Sequence, residues 1–467
     1  MRVLQGLEPT EVFRYFEQIC AIPHPSGHPR QIGDFCARFA EAHGLRYIRD
    51  GFGNLIIFKD GDPNKAPVIL QGHLDMVCVK EPDVQIDFLR DGLPLCTDGE
   101  FIFSRGTSLG ADDGIAVAMI LAILAADTKD LPPIEAVFTM DEETSMRGAA
   151  GLDVSVLRGR RMINLDSEAE GVLWVSCAGG ERVTIRMQTE TEAASAPCFA
   201  AELTGLCGGH SGTEIDKGRQ NAVLATAKLL RSVPQLRLCS LSGGKVDNAI
   251  PAECTAVFCG SPDALRSAFE HARCAWEDTE PNARLSVRPT DAQPALNSQN
   301  TAAVLDLLDA LPNGVQAFSR EIEGLVETSL NLGVCRIGRD GAELHYSVRS
   351  SVDAAREALV KRITETAASF GASSRTSGGY PAWQYRKDSP LRETAVQAFT
   401  ALTGRAPSVE AIHAGLECGL FCGKLPDLDC ISMGPDIFDI HSPSERLSAA
   451  SVARTYALVW DILKRLR

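Results

Sequence analysis

Three short apolar segments of this chain each lead into histidine or acidic residues, and this pattern limits the folds that the chain can adopt. The segments, each with the residues that follow it, are 66–70 with His73 and Asp75, 134–140 with Glu142 and Glu143, and 161–165 with Asp166. Short apolar runs of this kind are typical of strands that are buried on both faces of a sheet. Since sites in open α/β sheets collect at the carboxyl ends of the strands, we predict that these side chains meet in one place.

Helical segments alternate with the strands, which predicts an α/β domain. The elements expected before the site are helices over 8–22 and 29–43, strands over 46–50 and 54–59, and a hairpin over 88–95 and 101–104. A turn rich in glycine, 106–115, then opens an apolar helix over 115–126 and places Asp112 just before that helix. Asp112 therefore joins the strand-end residues at the predicted site.

The pattern changes near residue 182, where strands with alternating apolar and polar residues begin. A chain of 467 residues is long enough for two or three domains. The segment 378–383 is expected to return the chain to the character of the first module. We therefore predict a discontinuous first domain, 1–184 and 381–467, and an inserted domain, 185–380, whose pattern suggests two similar halves.

The net charge argues against two classes of partner. At −15 and without a basic run, the chain lacks the positive surface that nucleic acid or an anionic membrane requires. The first residues lack the apolar core of a signal peptide, and no run of about 18 apolar residues occurs in the sequence. We expect a cytoplasmic protein.

The 15 cysteines include no pair with the spacing CxxC, so the sequence indicates neither a disulfide framework nor a thiolate zinc cluster. Cys418 and Cys422 have helical spacing. We favour structural packing for this pair over redox or metal chemistry.

Five residues form a ligand set that suits two divalent metal ions. They are two imidazoles and three carboxylates, all expected at strand ends or turns: His73, Asp112, Glu143, Asp166 and His441. Two metal ions held close together can share one hydroxide and polarise a carbonyl group. Like charges raise the pKa of one another, so such a cluster would be costly without a cation.

Eight motifs together resemble the Xaa-His dipeptidase family, also called aminoacyl-histidine dipeptidases, within the clan of co-catalytic zinc exopeptidases and aminoacylases. The motifs lie in register over essentially the whole chain: 71–77, 108–114, 140–143, 164–167, 208–212, 248–251, 412–419 and 441–443. The resemblance implies an α/β catalytic domain with a mixed sheet flanked by helices, and an inserted α+β lid domain.

The resemblance also implies roles for the residues of the first domain. His73 and Asp166 would hold one zinc ion, Glu143 and His441 the other, and Asp112 would bridge them. Asp75 would orient His73, and Glu142 would be the general base for the bridging water. Relatives often carry Asn at position 113, so Asp113 leaves open which aspartate is the bridge, and we keep Asp112. A cis peptide between residues 112 and 113 is also implied.

In the inserted domain, the resemblance implies groups that contact the substrate. His210 is expected to reach the scissile carbonyl oxygen, although 208–212 can also be a plain glycine-rich turn. Asn248, Arg349 and Gly415 are expected around the substrate carboxylate, for which an arginine fork is suited. His413 and Glu417 are assigned to substrate binding, with a pair on a helix surface as the alternative.

These inferences together predict a cytoplasmic metallo-dipeptidase with two zinc ions, or cobalt or manganese, that hydrolyses unblocked dipeptides. Substrates of the Xaa-His type, including β-alanyl-histidine, are candidates. The alternatives are a deacylase of N-acyl amino acids and a metal-containing binding protein without catalysis, although a binding protein would have no use for Glu142. A homodimer is not expected to be needed to complete the site.

Overall fold

The computed structural model describes residues 2–28, 30–127, 129–194 and 196–466. Its helices are α1 (Thr10–Cys20), α2 (Arg30–Ala42), α3 (Ala111–Ala125), α4 (Glu142–Ser145), α5 (Arg147–Gly151), α6 (Ala222–Arg231), α7 (Pro262–Trp276), α8 (Ser298–Ala310), α9 (Asp353–Ser369), α10 (Pro390–Thr403), α11 (Glu417–Lys424) and α12 (Ala449–Arg465). The helix expected from residue 29 is α2, and residue 29 itself lies outside the described residues.

The strands before residue 200 are β1 (Arg46–Arg49), β2 (Leu55–Lys59), β3 (Val68–His73), β4 (Leu95–Thr97), β5 (Phe101–Ser104), β6 (Ile134–Thr139), β7 (Arg161–Asn164), β8 (Val172–Cys177), β9 (Gly179–Met187), β10 (Thr191–Glu192) and β11 (Cys198–Thr204). The later strands are β12 (Gly209–His210), β13 (Arg237–Gly243), β14 (Ala249–Ile250), β15 (Cys254–Cys259), β16 (Arg284–Thr290), β17 (Ala295–Leu296), β18 (Gly314–Phe318), β19 (Val326–Gly338), β20 (Gly341–Ser350), β21 (Ser373–Tyr380), β22 (Ser408–Ile412), β23 (Asp429–Ser432), β24 (Ile437–Phe438) and β25 (Arg446–Ser448).

The chain divides into two compact units. The first unit contains 1–176, 385–411 and 416–467, and the second contains 177–384 and 412–415. The second unit therefore starts earlier and ends later than the inserted domain expected at 185–380. The reason is that β9 already begins at Gly179, and that the amide of Ala178 hydrogen-bonds the carbonyl oxygens of Ile412 and Ala414.

The first unit is built on a mixed sheet with the strand order β1-β2-β6-β3-β7-β23-β8-β22. Strand β3 lies parallel to both β6 and β7, whereas β2 and β8 run antiparallel to their neighbours β6 and β23. Helix α3 packs on β3 and is buried on all sides because it is apolar all round. The predicted α/β fold with a mixed sheet flanked by helices is confirmed.

The register of this sheet aligns the carboxyl ends of its central strands. His73 at the end of β3 lies opposite Thr139 at the end of β6, and Gln71 lies opposite Asn164 at the end of β7. Residues that follow these strands therefore emerge at the same edge. This alignment explains why three segments far apart in the sequence can supply one site.

The second unit contains two β-α-β-β-α-β segments that share one continuous sheet. The outer half, 198–290, has the strand order β16-β11-β15-β13, and the inner half has the order β19-β20-β9-β21. Read from the outer edge of each half towards the junction between β13 and β19, both halves have the strand order fourth, first, third, second along their own segment, as in ferredoxin-like folds. The halves join where β13 pairs antiparallel with β19. The outer half is thus inserted in the inner half, between β9 and α8.

Two local expectations are wrong. The hairpin expected at 88–95 begins only at Leu95, because the side chains of Asp91 and Asp87 accept the backbone amides of residues 87 and 89 and hold that segment in turns. The segment expected as a linker from residue 378 still belongs to β21, since Tyr380 pairs with Gly180. Among the described residues, no helix is both long and apolar enough to cross a membrane.

Candidate active site

His73 is the last residue of β3 in the first unit, and a contact with the backbone just after this strand fixes its side chain. Its side chain is 1% exposed, and its Nδ1 lies 2.9 Å from the backbone carbonyl oxygen of Asp75. Because Nδ1 donates to this carbonyl, Nε2 is free to act as a ligand. The Asp75 carboxylate lies 3.7 Å from Nδ1 and accepts the amide of Glu142 at 3.1 Å. Asp75 thus contacts His73 through its backbone and the loop after β6 through its side chain.

Asp112 lies between the two predicted imidazole ligands. Its Oδ1 is 3.0 Å from Nε2 of His73, and its Oδ2 is 3.2 Å from Nε2 of His441. The Oδ2 of Asp113 instead accepts the backbone amide of His73 at 3.0 Å. The peptide between Asp112 and Asp113 is cis, which confirms that prediction.

The segment that leads into Asp112 is held by Glu445. The carboxylate of Glu445 is buried and accepts the amides of four consecutive residues, 109–112, at 2.7, 3.1, 2.8 and 3.4 Å. A carboxylate at the start of a helix satisfies amides that have no partner within the helix. Glu445 therefore fixes the backbone from which Asp112 projects.

Glu142 and Glu143 follow β6 on the short helix α4, and Glu143 reaches the second imidazole. Its carboxylate oxygens lie 3.0–3.1 Å from Nε2 of His441. His441 adopts the left-handed backbone conformation, with φ at 58°, which is unfavourable for a residue with a side chain and is often found at functional sites. Asp166, after β7, places its Oδ1 3.6 Å from Nε2 of His73.

The donor set of this cluster fits divalent cations. Three groups of donors have ligand atoms within 4.8 Å of one another: His73, Asp113 and Asp166; His73, Glu142 and Glu143; and Asp112, Glu143 and His441. Tetrahedral coordination at about 2.0–2.2 Å keeps nitrogen and oxygen ligands roughly 3.4 Å apart. The measured pairs lie 3.0–3.6 Å apart. Imidazole and carboxylate ligands together suit zinc and similar metal ions.

The electrostatics of the cluster favour a positive charge. Hydrogen bonds to Asp112 and Glu143 raise the pKa of His441 to about 10. Burial opposes ionisation of Asp112, but hydrogen bonds from both imidazoles bring its pKa below the usual range. Burial, with the negative charge of Asp166, raises the pKa of Glu142 well above its ordinary value. Without a metal ion, protonated imidazole provides the positive charge that stabilises these carboxylates. A bound divalent cation would provide that positive charge instead.

Glu417 lies behind the strand ends rather than on a helix surface. It is fully buried, and its Oε2 accepts the hydroxyl of Thr139 at 2.6 Å and the amide of Gln71 at 2.7 Å. The Oε1 of Gln71 in turn accepts from Asn164 at 2.6 Å. Burial raises the pKa of Glu417 to about 8. The alternative of a helix-surface pair with His413 does not hold, because both side chains are buried and His413 precedes α11.

In the second unit, His210 is held as a neutral donor. Its Nδ1 accepts the backbone amides of Gly212 and Thr213 at 3.3 and 3.2 Å, so the ring proton lies on Nε2. Burial and the positive charge of Arg349 lower the pKa of His210. Asn248 is exposed, and its backbone carbonyl accepts the amide of Ser211 at 2.9 Å. The motif 208–212 is thus a short strand and turn that presents one imidazole.

Arg349 is a buried cation with free donor capacity. It is 8% exposed, donates from Nη1 to the Tyr380 hydroxyl at 3.2 Å, and its Nε has no hydrogen-bond partner among the described residues. Gly415 lies against the Tyr380 ring, and an added Cβ would come within 2.8 Å of that ring. Burial, together with Arg349, lowers the pKa of His413 to about 3, and its Nε2 lies 2.7 Å from the Ser329 hydroxyl.

The roles of Glu445 and of the partners of Glu417 do not follow from the sequence. Glu445 lies four residues after His441 in a loop, and nothing in a single sequence indicates that a loop glutamate accepts amides from a segment more than 300 residues earlier. Gln71 and Asn164 lie within the motifs 71–77 and 164–167. Only the register of the parallel strands reveals that they contact each other.

A known protein family matches most of this chain. Residues 69–465 match the model of Peptidase family M20/M25/M40. The chain belongs to this peptidase family. Over its whole length it is 37% identical to the cytosol non-specific dipeptidase of Escherichia coli K12, 99% of which is covered.

Two solved structures show the same fold. The aminoacylhistidine dipeptidase from Vibrio alginolyticus matches with a TM-score of 0.92 and 33% identity, over 99% of this chain and 98% of that one. The aminopeptidase PepT from Bacillus cereus matches with a TM-score of 0.59 and 16% identity, over 98% and 99% of the two chains, and supports the fold alone. The resemblance seen in the sequence and the prediction of a peptide-bond hydrolase are confirmed.

Proposed function

We propose that this M20/M25/M40 peptidase is a cytoplasmic dipeptidase that uses two divalent metal ions, zinc in the first place, to hydrolyse unblocked dipeptides. Xaa-His dipeptides, including β-alanyl-histidine, are among the proposed substrates. The observation that carries the proposal is the position of Asp112, whose two carboxylate oxygens face two different imidazoles. One carboxylate between two imidazoles is the arrangement required to join two cations.

The proposed ligands are His73 and Asp166 for one ion, Glu143 and His441 for the other, and Asp112 for both. Asp113 is the less suitable bridge because its Oδ2 is engaged by the backbone amide of His73. When bound, such a pair of ions lowers the pKa of a water molecule and polarises the substrate carbonyl group.

Glu142 is the proposed general base. It neighbours the ligand Glu143, and the bond between its amide and Asp75 fixes its place in the loop after β6. In this role its carboxylate takes a proton from the attacking water and passes it to the amine that leaves. Asp75 supports both steps, since it contacts His73 and the backbone of Glu142.

The second unit is proposed to supply the groups that bind the substrate. His210 would donate from Nε2 to the carbonyl oxygen as negative charge develops there. Arg349 would bind the substrate carboxylate, which is supported by its burial and its unpaired Nε. Asn248 and Gly415 are proposed to contact the same carboxylate. His413 stays neutral, because burial and the positive charge of Arg349 lower its pKa.

Glu417 is proposed to position the strand ends rather than to touch substrate. It is fully buried and bonded to Gln71 and Thr139, which precede the site residues in β3 and β6. This replaces the direct substrate contact expected from the sequence.

The names of the relatives support the dipeptide substrates and the compartment. One relative is called a cytosol non-specific dipeptidase and the other an aminoacylhistidine dipeptidase. We propose that this chain also acts in the cytoplasm, and that any homodimer is not needed to complete its active site.

A substrate panel tests the proposed function. Purified protein loaded with zinc, cobalt or manganese is assayed with free dipeptides, including Ala-His and β-alanyl-histidine, and with their N-acetylated forms. The Glu142→Gln protein serves as the background control. Hydrolysis of free dipeptides only is the expected result. Preference for the acetylated forms would replace the dipeptidase with a deacylase, and no turnover with any metal would contradict both.

A further inference from the structure

Three cysteines of the outer half converge at one end of three neighbouring strands. Cys198 in β11 lies directly opposite Cys259 in β15, and Cys239 lies in β13 on the other side of β15. A bulge in β13 falls between Leu238 and Ser240, so Cys239 has no directly opposed residue in β15. The three thiols therefore meet because of strand register, although they are far apart in the sequence.

The thiol geometry is that of a ligand cluster. The Sγ atoms of Cys198 and Cys259 are 3.0 Å apart, those of Cys239 and Cys259 are 3.7 Å apart, and all three lie within 4.8 Å of one another. Three thiolates on one tetrahedral zinc ion, at about 2.3 Å from the metal, lie roughly 3.8 Å apart. One pair already has this spacing. Cys198 and Cys259 lie closer than this and need to separate by a small side-chain rotation.

A fourth donor and an access route are present. The carbonyl oxygen of Gln293 lies 4.0 Å from the Sγ of Cys198 and 3.9 Å from that of Cys239. Cys259 and Ala295 line a cavity of about 840 Å³ in the same unit. All three cysteines are nevertheless buried, with 2–4% exposed. Soft thiolate ligands in a buried site select zinc, cadmium or copper(I) over magnesium or calcium.

We propose that Cys198, Cys239 and Cys259, with the carbonyl oxygen of Gln293, bind one thiophilic divalent cation of the zinc and cadmium class. This site lies wholly in the second unit, and its ligands are distinct from the histidine and carboxylate residues around Asp112. Three thiolates and a divalent ion leave one negative charge. Arg237, which lies opposite Cys259 in the strand register, is positioned to compensate it, although its side chain also pairs with Glu192.

Binding is coupled to proton release. Burial raises the pKa of Cys259 to about 11, and burial with the neighbouring thiols raises that of Cys239 above its ordinary range. The cation must therefore displace thiol protons, so its affinity increases with pH. The site differs from a cross-strand disulfide in its third thiol and carbonyl, and it needs no oxidant.

The test follows sulfur directly and does not depend on catalysis. Protein already loaded with zinc, in a Cys207→Ser and Cys274→Ser background that removes the exposed thiols of the second unit, is titrated with Cd²⁺. The expected result is one equivalent of an ultraviolet sulfur-to-cadmium charge-transfer band, because the centre around Asp112 contains no sulfur. Peptidase activity tests the proposed function separately.

Matched variants locate the site. Cys239→Ser and Cys198→Ser should each weaken Cd²⁺ binding by about 100-fold or more while keeping peptidase activity. Cys254→Ser, a change at a buried cysteine of the same strand β15, should leave the band unchanged. A band that persists in both ligand variants, a titration without a band, or a Cys198–Cys259 disulfide in protein purified without oxidant would overturn the proposal. Circular dichroism of each variant shows that it is folded.

Discussion

Glu445 holds the backbone of Asp112 although the two residues are separated by most of the chain. One oxygen of Glu445 accepts the amides of Ala111 and Asp112, and the other accepts those of Leu109 and Gly110. The residue that lies between both imidazoles is therefore oriented by the carboxylate of a residue from another loop. A residue in the loop after His441 thus fixes the backbone of the carboxylate that lies between the two imidazoles.

Glu445→Gln should reduce kcat/KM by about 10–100-fold and lower metal content, because an outer group that fixes a ligand typically has an effect of this size. The side-chain NH2 group of glutamine donates hydrogen bonds and cannot accept them, so the two buried backbone amides that face it lose their acceptor. Thermal unfolding should shift by the equivalent of about 2 kcal/mol or more. Glu100→Gln, a change at an exposed glutamate, is the control. Full metal content and activity in Glu445→Gln would show that the segment 109–112 holds its shape unaided.

Metal binding and base catalysis should be separable at the adjacent pair Glu142 and Glu143. Glu142→Gln is expected to keep two metal ions per chain and to lose several powers of ten in kcat, since it removes the proton acceptor. Glu143→Ala is expected to lose metal, because its carboxylate faces His441. Elemental analysis of both proteins decides the assignment. Depletion of metal in Glu142→Gln would exchange the two roles.

His210→Ala should lower kcat by about 10²–10³-fold with little change in metal content, as expected for loss of one donor to the developing oxyanion. His345→Ala in the same unit is the control. Mixing inactive Glu142→Gln protein with inactive His210→Ala protein, under conditions that exchange subunits, tests whether the site is complete within one chain. The mixture is expected to stay inactive. Recovered activity would mean that His210 acts across an interface.

Gly415→Ala should raise KM more than it lowers kcat. The new Cβ would come within 2.8 Å of the Tyr380 ring and hydroxyl, and that hydroxyl accepts from Arg349. Displacement of Tyr380 therefore disturbs the proposed carboxylate site, and an increase of about 10-fold or more in KM corresponds to loss of one hydrogen bond to a charged group. Gly338→Ala, where no atom lies within 4 Å of the new Cβ, is the control. An unchanged KM for Gly415→Ala would place the substrate carboxylate elsewhere.

Buried His413 should make the protein less stable as the pH falls. Its pKa is about 3 in the folded chain against an ordinary 6.5, so below about pH 6.5 the unfolded chain binds a proton that the folded chain excludes. Stability is then lost by up to about 1.4 kcal/mol per pH unit as the pH falls towards 3. The melting temperature of His413→Gln should therefore depend less on pH between about pH 7 and pH 5 than that of the unchanged protein. Equal pH dependence of the two proteins, with His345→Gln as the reference, would contradict the assignment.

The sequence was informative where a pattern is local. Helix α1 follows from Val12, Phe13, Phe16 and Ile19 at helical spacing, all of which are buried. The positions of His73, Glu143 and Asp166 at or just after the ends of strands follow from apolar runs that stop at polar residues. Each of these features depends on neighbours in the sequence, which is why a single chain reveals it.

Contacts between distant segments were not predictable from local pattern. Glu417 has the spacing of a surface helix residue from His413, yet tertiary packing buries both. The segment 88–94 has apolar residues at strand-like spacing, but bonds from Asp87 and Asp91 to the backbone compete with strand formation. Assignment of the ligand set depended on the family resemblance, since spacing alone does not distinguish Asp112 from Asp113.

Because the outer half is inserted in the inner half, the two halves and the first unit are completed in a fixed order during synthesis. The four long strands of the outer half are contiguous in sequence, so their sheet can close before the inner half has received β19, β20 and β21. The first unit is completed later, because β23 and His441 lie near the end of the chain. A chain emerging from the ribosome can therefore carry a finished second unit while the cluster around Asp112 still lacks its last imidazole.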